Sequence, residues 1–177
     1  WSSKTQLWMP MDSIQQISED NVQVLNQLLT FLTSLDSIQY QNVPTNHGSS
    51  MGAHVRHIIE HYQSVLTTNS LIDYDDRKRD QTVQSSRSAA TGQIKSVIQI
   101  LCGIQADKNV VVLCKTNPAI SPSEVNSSLA RELIFLYTHP THHMAIIKLL
   151  STSIGLSIDD ATAYTMAMTG ALMHGTI

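Results

Sequence analysis

Six of the eight histidines in this 177-residue chain fall into two clusters. The first reads Gly52-Ala53-His54-Val55-Arg56-His57-Ile58-Ile59-Glu60-His61, and the second His139-Pro140-Thr141-His142-His143. Neutral imidazole is the commonest protein ligand for zinc and also serves nickel, iron and copper. Each cluster contains two histidines four residues apart, a spacing that sets both side chains on one face of a helix. His54, His57 and His61 form a stripe at i, i+3 and i+7. His139 and His143 share a face on which Glu132 also lies, roughly two turns earlier. A reactive metal site generally uses three protein ligands and leaves a position to water or substrate. Two ligands from one helix and one from its neighbour would complete such a site in a bundle interior.

Each histidine also has a plainer reading. A lone helical histidine is ordinarily a surface residue or a satisfied core one, and His47 and His174 are read that way. His142, turned by about 100° from the His139–His143 pair, is expected to pack or hydrogen-bond elsewhere. The clusters could be a hydrogen-bonded structural group or a solvent-facing set. Against this, the second cluster lies on a strongly apolar stretch containing Leu133, Ile134, Phe135, Leu136, Met144, Ile146 and Ile147. Unpaired imidazoles buried there would cost on the order of a few kcal/mol. Pro140 removes the hydrogen bond to the Leu136 carbonyl and should kink its helix, which either splays His139 toward the interior or spoils the pairing with His143.

The elements that must carry these residues are legible as helices. Asp12 or Ser13 caps a first helix whose apolar positions, Ile14, Ile17, Val24, Leu25, Leu28, Phe31, Leu32 and Leu35, recur at the helical period. Turn formers at Asn42 to Gly48 break the pattern. Ser49 or Ser50 then caps a second helix from about Met51 to Ser70, with Val55, Ile58, Ile59, Tyr62, Val65 and Leu66 on its apolar side. A charged stretch from Asp73 to Asp80 leads to a third helix over about Gln84 to Gln105, with Gly103 near its end. Asn109 to Cys114 is short and β-branched, and is expected to be an isolated extended segment. Ser123, with Asn126 as the competing cap, starts a fourth long helix from about Glu124 to Ser153, ended by Gly155. The expected fold is all-α, an antiparallel four-helix bundle with a short extended segment before the last long helix. Residues 1–10 read as an extension, 11–156 as the bundle, and 157–177 as a tail packed on it, with one more short helix at most.

Composition narrows the function classes. Hydrophobic content of 42% with 14% charged residues fits one well-buried domain. A net charge of −3 offers no basic stripe for nucleic acid. Arg77-Lys78-Arg79 is flanked by Asp75, Asp76 and Asp80 and reads as locally neutralised. No apolar stretch approaches the roughly 20 residues of a membrane span, and no secretory signal is evident. Cys102 and Cys114 read as reduced, mostly buried thiols, an expectation that goes with a cytoplasmic location.

Two segments carry a resemblance. Ser50 to His61 resembles the second-helix motif of the DinB-like (YfiT-like) superfamily, and Ser128 to His139 continuing through His143-Met144-Ala145 resembles its last-helix motif. Tyr74 to Asp80 is similar to a linker of some members, so the likeness covers roughly Met11 to Leu156. The chain departs from the pattern at Pro140 and in its tail. The resemblance implies a four-helix bundle, often a homodimer, with a divalent transition metal (zinc, nickel or iron) held by three histidines. Motif for motif, those are His57, His139 and His143. It also implies a metal-dependent activity on a small-molecule substrate, thiol transfer with a low-molecular-weight thiol cosubstrate above all, or hydrolysis.

His54 and His61 remain as acid/base groups or as residues supporting the ligands, with His61 a candidate fourth ligand. Glu60 and Glu132 are candidates to orient a ligand imidazole through its second nitrogen, or else to pair with Arg56 and Arg131. The alternative function is a non-catalytic metal-binding or stress-response bundle in which the ion pins two helices. A di-metal carboxylate site is set aside, because the chain lacks Glu-x-x-His on two helices.

Overall fold

The expected stripe of the first helix is the inner face of α1, Ser13–Thr33: Ile14, Val24, Leu25, Leu28, Phe31 and Leu32 are all buried. The computed structural model describes residues 13–45, 47–68, 70–117 and 119–156; the extension and the tail expected from the sequence lie outside them. A short α2, Ser37–Gln41, follows, closed by a capping box in which Asp36 and Gln39 satisfy each other's backbone N–H. It buries Tyr40, whose hydroxyl donates to the Val83 carbonyl at 2.8 Å.

The histidine-bearing α3 spans Met51–Leu66, and Ser50 caps it by accepting from the Ala53 N–H. Its first turn runs hard against the next elements. A Cβ on Gly52 would collide with the Gln84 carbonyl and the Tyr40 ring, so glycine is what lets α3 approach this closely. The helix ends four residues earlier than expected, because Leu71–Asp73 is spent on a strand, β1.

The third expected helix is split. Ser86 is extended (φ −126°, ψ 108°), ending α4, Gln81–Ser85, and capping α5, Arg87–Cys102, through its hydroxyl on the Ala89 N–H. The segment read as isolated, Asn109–Cys114, is β2 of a three-stranded sheet, pairing parallel with β1 (Ile72 opposite Val112) and antiparallel with β3, Ser123–Ser128. The described chain is therefore mostly helical but not all-α. The last helix, α6, spans Leu129–Ser153 and starts five residues later than expected. Residues 123–128 give their backbone groups to the ladder, and Ser128, not Ser123 or Asn126, is the cap, its hydroxyl accepting from the Arg131 N–H at 3.3 Å.

α1 and α3 each pack against both α5 and α6. Phe31, Ile58, Ile94, Leu101, Leu133, Leu136 and Ile147, all essentially inaccessible, fill the space between them. Pro140 lies inside α6 without ending it. The backbone acceptors around it are met by a buried network. Asn21 on α1 donates both Nδ2 protons, to the Ile17 and Leu133 carbonyls (2.8 and 3.0 Å), and accepts from the Tyr62 hydroxyl of α3 at 2.7 Å. That hydroxyl also lies 3.5 Å from the Leu136 carbonyl, which Pro140 leaves without its usual donor. No described helix is long and apolar enough to cross a membrane.

Candidate metal centre

The packing of α3 on α6 brings five of the six clustered histidines together. His57 Nε2 and His139 Nε2 face each other at 3.0 Å, and His54 Nδ1 lies 3.0 Å from His143 Nδ1. The His143 ring is 4.4 Å from that of His57 and 4.7 Å from that of His139, centroid to centroid. His61 is 4.2 Å from both His57 and His139 by the same measure. Among the described residues, His57, His61 and His139 form the one group of three that offers ligand atoms all within 4.8 Å of one another. His142 is exposed at the margin, its ring edge-on to His143 at 5.4 Å, and His47 is exposed. His174 lies outside the described residues.

The donor set suits a transition metal. Two ring nitrogens facing each other at 3.0 Å repel unless one carries a proton or both face a cation. Ligands about 2.0–2.1 Å from a common tetrahedral ion sit about 3.3 Å apart, close to the spacing of His57 and His139. Ligation also requires neutral imidazoles, and the surroundings favour them. Burial, reinforced by the neighbouring histidines and Arg77, holds His57 down to about 3. Burial and the charges of His139, His54, His142 and His61 hold His143 down to about 3. His61 is lowered to about 4, chiefly by burial, with its bond to the His57 carbonyl opposing. His54 and His139 are lowered too, burial first and His142 next.

Tautomers follow from the hydrogen bonds. His61 Nδ1 is 2.9 Å from the His57 carbonyl, so this nitrogen carries the proton and Nε2 keeps its lone pair. Arg77 Nη1 lies 2.9 Å from that Nε2 and 3.1 Å from Nδ1. His54 Nε2 meets the Ser49 hydroxyl at 2.8 Å. In the tautomer with His54 Nε2–H donated to Ser49, His54 Nδ1 accepts from His143 Nδ1–H and His143 Nε2 is free to ligate; the reverse polarity, with Ser49 donating, would protonate that nitrogen. Ser49–His54–His143 is thus the kind of chain that fixes a ligand's orientation.

The two glutamates do not orient imidazoles. Glu132 is fully buried, yet it accepts from Ser127 (2.6 Å), Tyr74 (2.6 Å) and Arg131 (2.8 Å). Burial alone would raise its carboxyl, but these hydrogen bonds outweigh it and hold the group below the usual range. Glu60 accepts from the Asp80 N–H at 2.8 Å. For Glu132 the pairing with Arg131 is realised; among the described residues, Glu60 makes no ion pair with Arg56. Glu60 thus faces a backbone N–H, and Glu132 two hydroxyls from other elements besides Arg131, partners that helical periodicity does not reveal.

Two residues near the histidines were not singled out as site residues from sequence. Tyr74 stacks on His61 at 5.6 Å and meets Phe135 edge-on at 5.3 Å, tying the centre to Glu132. Burial, then the Glu132 bond, pushes its hydroxyl pKa up. Arg77 turns inward while Lys78 and Arg79 stay exposed, so the basic run is not a uniformly solvated one. Its only sequence signal is the likeness of residues 74–80 to a family linker. Cys102 is exposed and Cys114 half-buried, both free, which corrects the expectation of two mostly buried thiols. Comparison with protein families, with curated proteins and with solved structures yields no match for this chain.

Proposed function

We propose that this chain is a divalent-metal-binding four-helix bundle of the DinB-like kind that acts on a small molecule, by thiol transfer or hydrolysis. The proposed ligands are His57, His139 and His143. The observation that carries the reading is the 3.0 Å approach of His57 Nε2 to His139 Nε2 across two helices, which neutral, half-buried imidazoles would not adopt without a shared proton or cation. The His54–Ser49 chain behind His143 supports the third ligand. A divalent ion held there would supply Lewis acidity, lowering the pKa of a thiol or of water toward neutrality. His61 is the group to move a proton. Its Nδ1–H is committed to the His57 carbonyl, so Nε2 is the accepting atom once Arg77 Nη1, 2.9 Å away, moves off that lone pair. Tyr74 and Phe135 wall the centre on the α6 side, which restricts water there.

One observation favours a second reading, in which His61 is a ligand and the ion serves structure alone. The donor atoms of His57, His61 and His139 lie within 4.8 Å of one another. Arg77 weighs against it, because Nη1 already takes the lone pair that His61 would give to the ion.

Elemental analysis of protein purified without a His-tag or metal column separates the two. About one metal per chain is expected in the wild type and in His61→Ala, and close to none in His57→Ala, His139→Ala or His143→Ala. A wild type without metal ends the proposal. Loss in His61→Ala with retention in His143→Ala establishes the second reading instead. A screen of the loaded protein with low-molecular-weight thiols and electrophilic acceptors then tests the reaction class.

A further inference from the structure

His61 is contested. One of its ring nitrogens lies within 4.8 Å of those that His57 and His139 offer, near enough to share an ion with them. Its Nδ1–H is spent on the His57 carbonyl, which leaves Nε2 as the nitrogen with a lone pair to give. Beside that nitrogen stands Arg77, with Nη1 2.9 Å away. A guanidinium keeps its charge at any physiological pH, and a positive charge so close opposes a metal cation on the same atom.

The linker brings Arg77 to this place. The Tyr74 hydroxyl donates to Glu132 at 2.6 Å, the Asp73 carboxylate takes the N–H groups of Asp75 and Asp76 at 2.8 and 3.2 Å, and the Glu60 carboxylate takes that of Asp80 at 2.8 Å. The hold on His61 is loose all the same. Nη1 is almost as near to Nδ1, at 3.1 Å, as to Nε2, so it meets the Nε2 lone pair off axis. Arg77 Nε is buried with no partner among the described residues, and none of their carboxylates comes within 4 Å of the guanidinium. Yet Glu60, Asp76 and Asp80 line the same cleft as Arg77. A guanidinium bonds more strongly to a carboxylate than to a neutral acceptor. Arg77 therefore has a second seat within its own cleft.

We infer that Arg77 is a movable positive charge that sets the role of His61. Seated at the ring, it keeps His61 out of the coordination set, so that an ion takes three histidines and retains an open position. Drawn across to the cleft carboxylates, it frees Nε2 to accept a proton. Arg77 is thus a positioning residue acting through His61. This rests on the proposed metal centre for the coordination alone; the Arg77–His61 contact stands on its own geometry.

The test uses the full chain as wild type, Arg77→Met, Arg77→Lys, Arg77→Met with His61→Ala, and Glu60→Gln with Asp76→Asn. Thermal melts verify folding, and Arg77→Gln replaces Arg77→Met if the latter does not fold. In metal-free protein, diethyl pyrocarbonate should acylate His61 several-fold faster in Arg77→Met than in wild type, read by peptide mass mapping. Arg77→Lys, which keeps the charge, should stay close to wild type. Glu60→Gln with Asp76→Asn should slow the reaction, since the second seat is gone. Arg77→Met should also bind Co(II) about tenfold more tightly than wild type and alter its visible spectrum as a fourth imidazole joins. Both changes should vanish once His61→Ala is added. Equal acylation of His61 in wild type and Arg77→Met overturns the inference. So does a gain in Co(II) affinity that survives His61→Ala, or no gain in a chain that binds Co(II). An unchanged rate in the carboxylate variant removes the second seat. Co(II) held by no variant ends the three-histidine reading, while the acylation rates still decide what Arg77 does to His61.

Discussion

α6 meets two buried polar groups within three turns, and they are built on opposite principles. At Leu133 and Leu136 the network is closed: Asn21 uses both Nδ2 protons and accepts from Tyr62, and each atom has its partner. At His139 and His143 it is open. The ring nitrogens of His57 and His139 point at one another, and among the described residues the buried Nε groups of Arg56 and Arg77 have no hydrogen-bond partner. A satisfied network fixes a structure, whereas orphaned donors and opposed lone pairs in a desolvated cluster cost stability unless something binds. The contrast fits the first group to holding α1, α3 and α6 in register and is what supports the proposed binding role of the second.

The comparison can be broken most sharply at Asn21. Asn21→Leu removes the Asn21 bonds to the Leu133 carbonyl and the Tyr62 hydroxyl, leaving that hydroxyl only its 3.5 Å approach to the Leu136 carbonyl, and should destabilise the fold by about 1–3 kcal/mol. Urea unfolding would measure this, and metal content of the folded fraction should be unchanged. A neutral Asn21→Leu would erase the distinction between the two groups. A smaller effect is expected at His54. His54→Ala removes the partner of His143 Nδ1 and should weaken metal binding about tenfold, read by chelator competition, with little change in stability.

The smallest effect sharpens the comparison through pH. In the metal-free protein His57 and His143 are held near 3 and His61 near 4, against about 6.5 in the unfolded chain. Between those values the unfolded state binds more protons than the folded one, so stability rises with pH across the window. Acidification from about pH 6.5 toward 4 should therefore lower the Tm. The centre is partly open to solvent, which tempers the slope, and His57→Ala should flatten it further, whereas a variant of the Asn21 network should leave the slope as in wild type.

Much of this architecture could be read before any coordinates. The stripes of α1 and α3, the Ser50 cap and the inward setting of His57 and His139 follow from local rules, because a helix fixes its faces by 3.6-residue geometry alone. β3 could not be read. Ser123 to Ser128 holds a single branched apolar residue, Val125, and that one is exposed. The segment is a strand because β2 offers it a ladder, not through any propensity of its own. The same holds for Pro140, whose kink looked like a threat to the site; α6 runs through it beside the acceptor-filling Asn21–Tyr62 pair, contributed from two other helices.

The sequence by itself thus determined which side chains could ligate and on which faces of which helices they ride, since periodicity is a property of the backbone. Only the tertiary structure decided which imidazoles meet, that Glu132 serves Tyr74 and Ser127 rather than a ring nitrogen, and that Arg77 alone of its basic run turns inward. Ser127 apart, which is five positions from Glu132, those outcomes depend on contacts between residues 16 to 89 positions apart, whose distances are set by packing and by the strand pairing that holds the linker, and no local pattern encodes them.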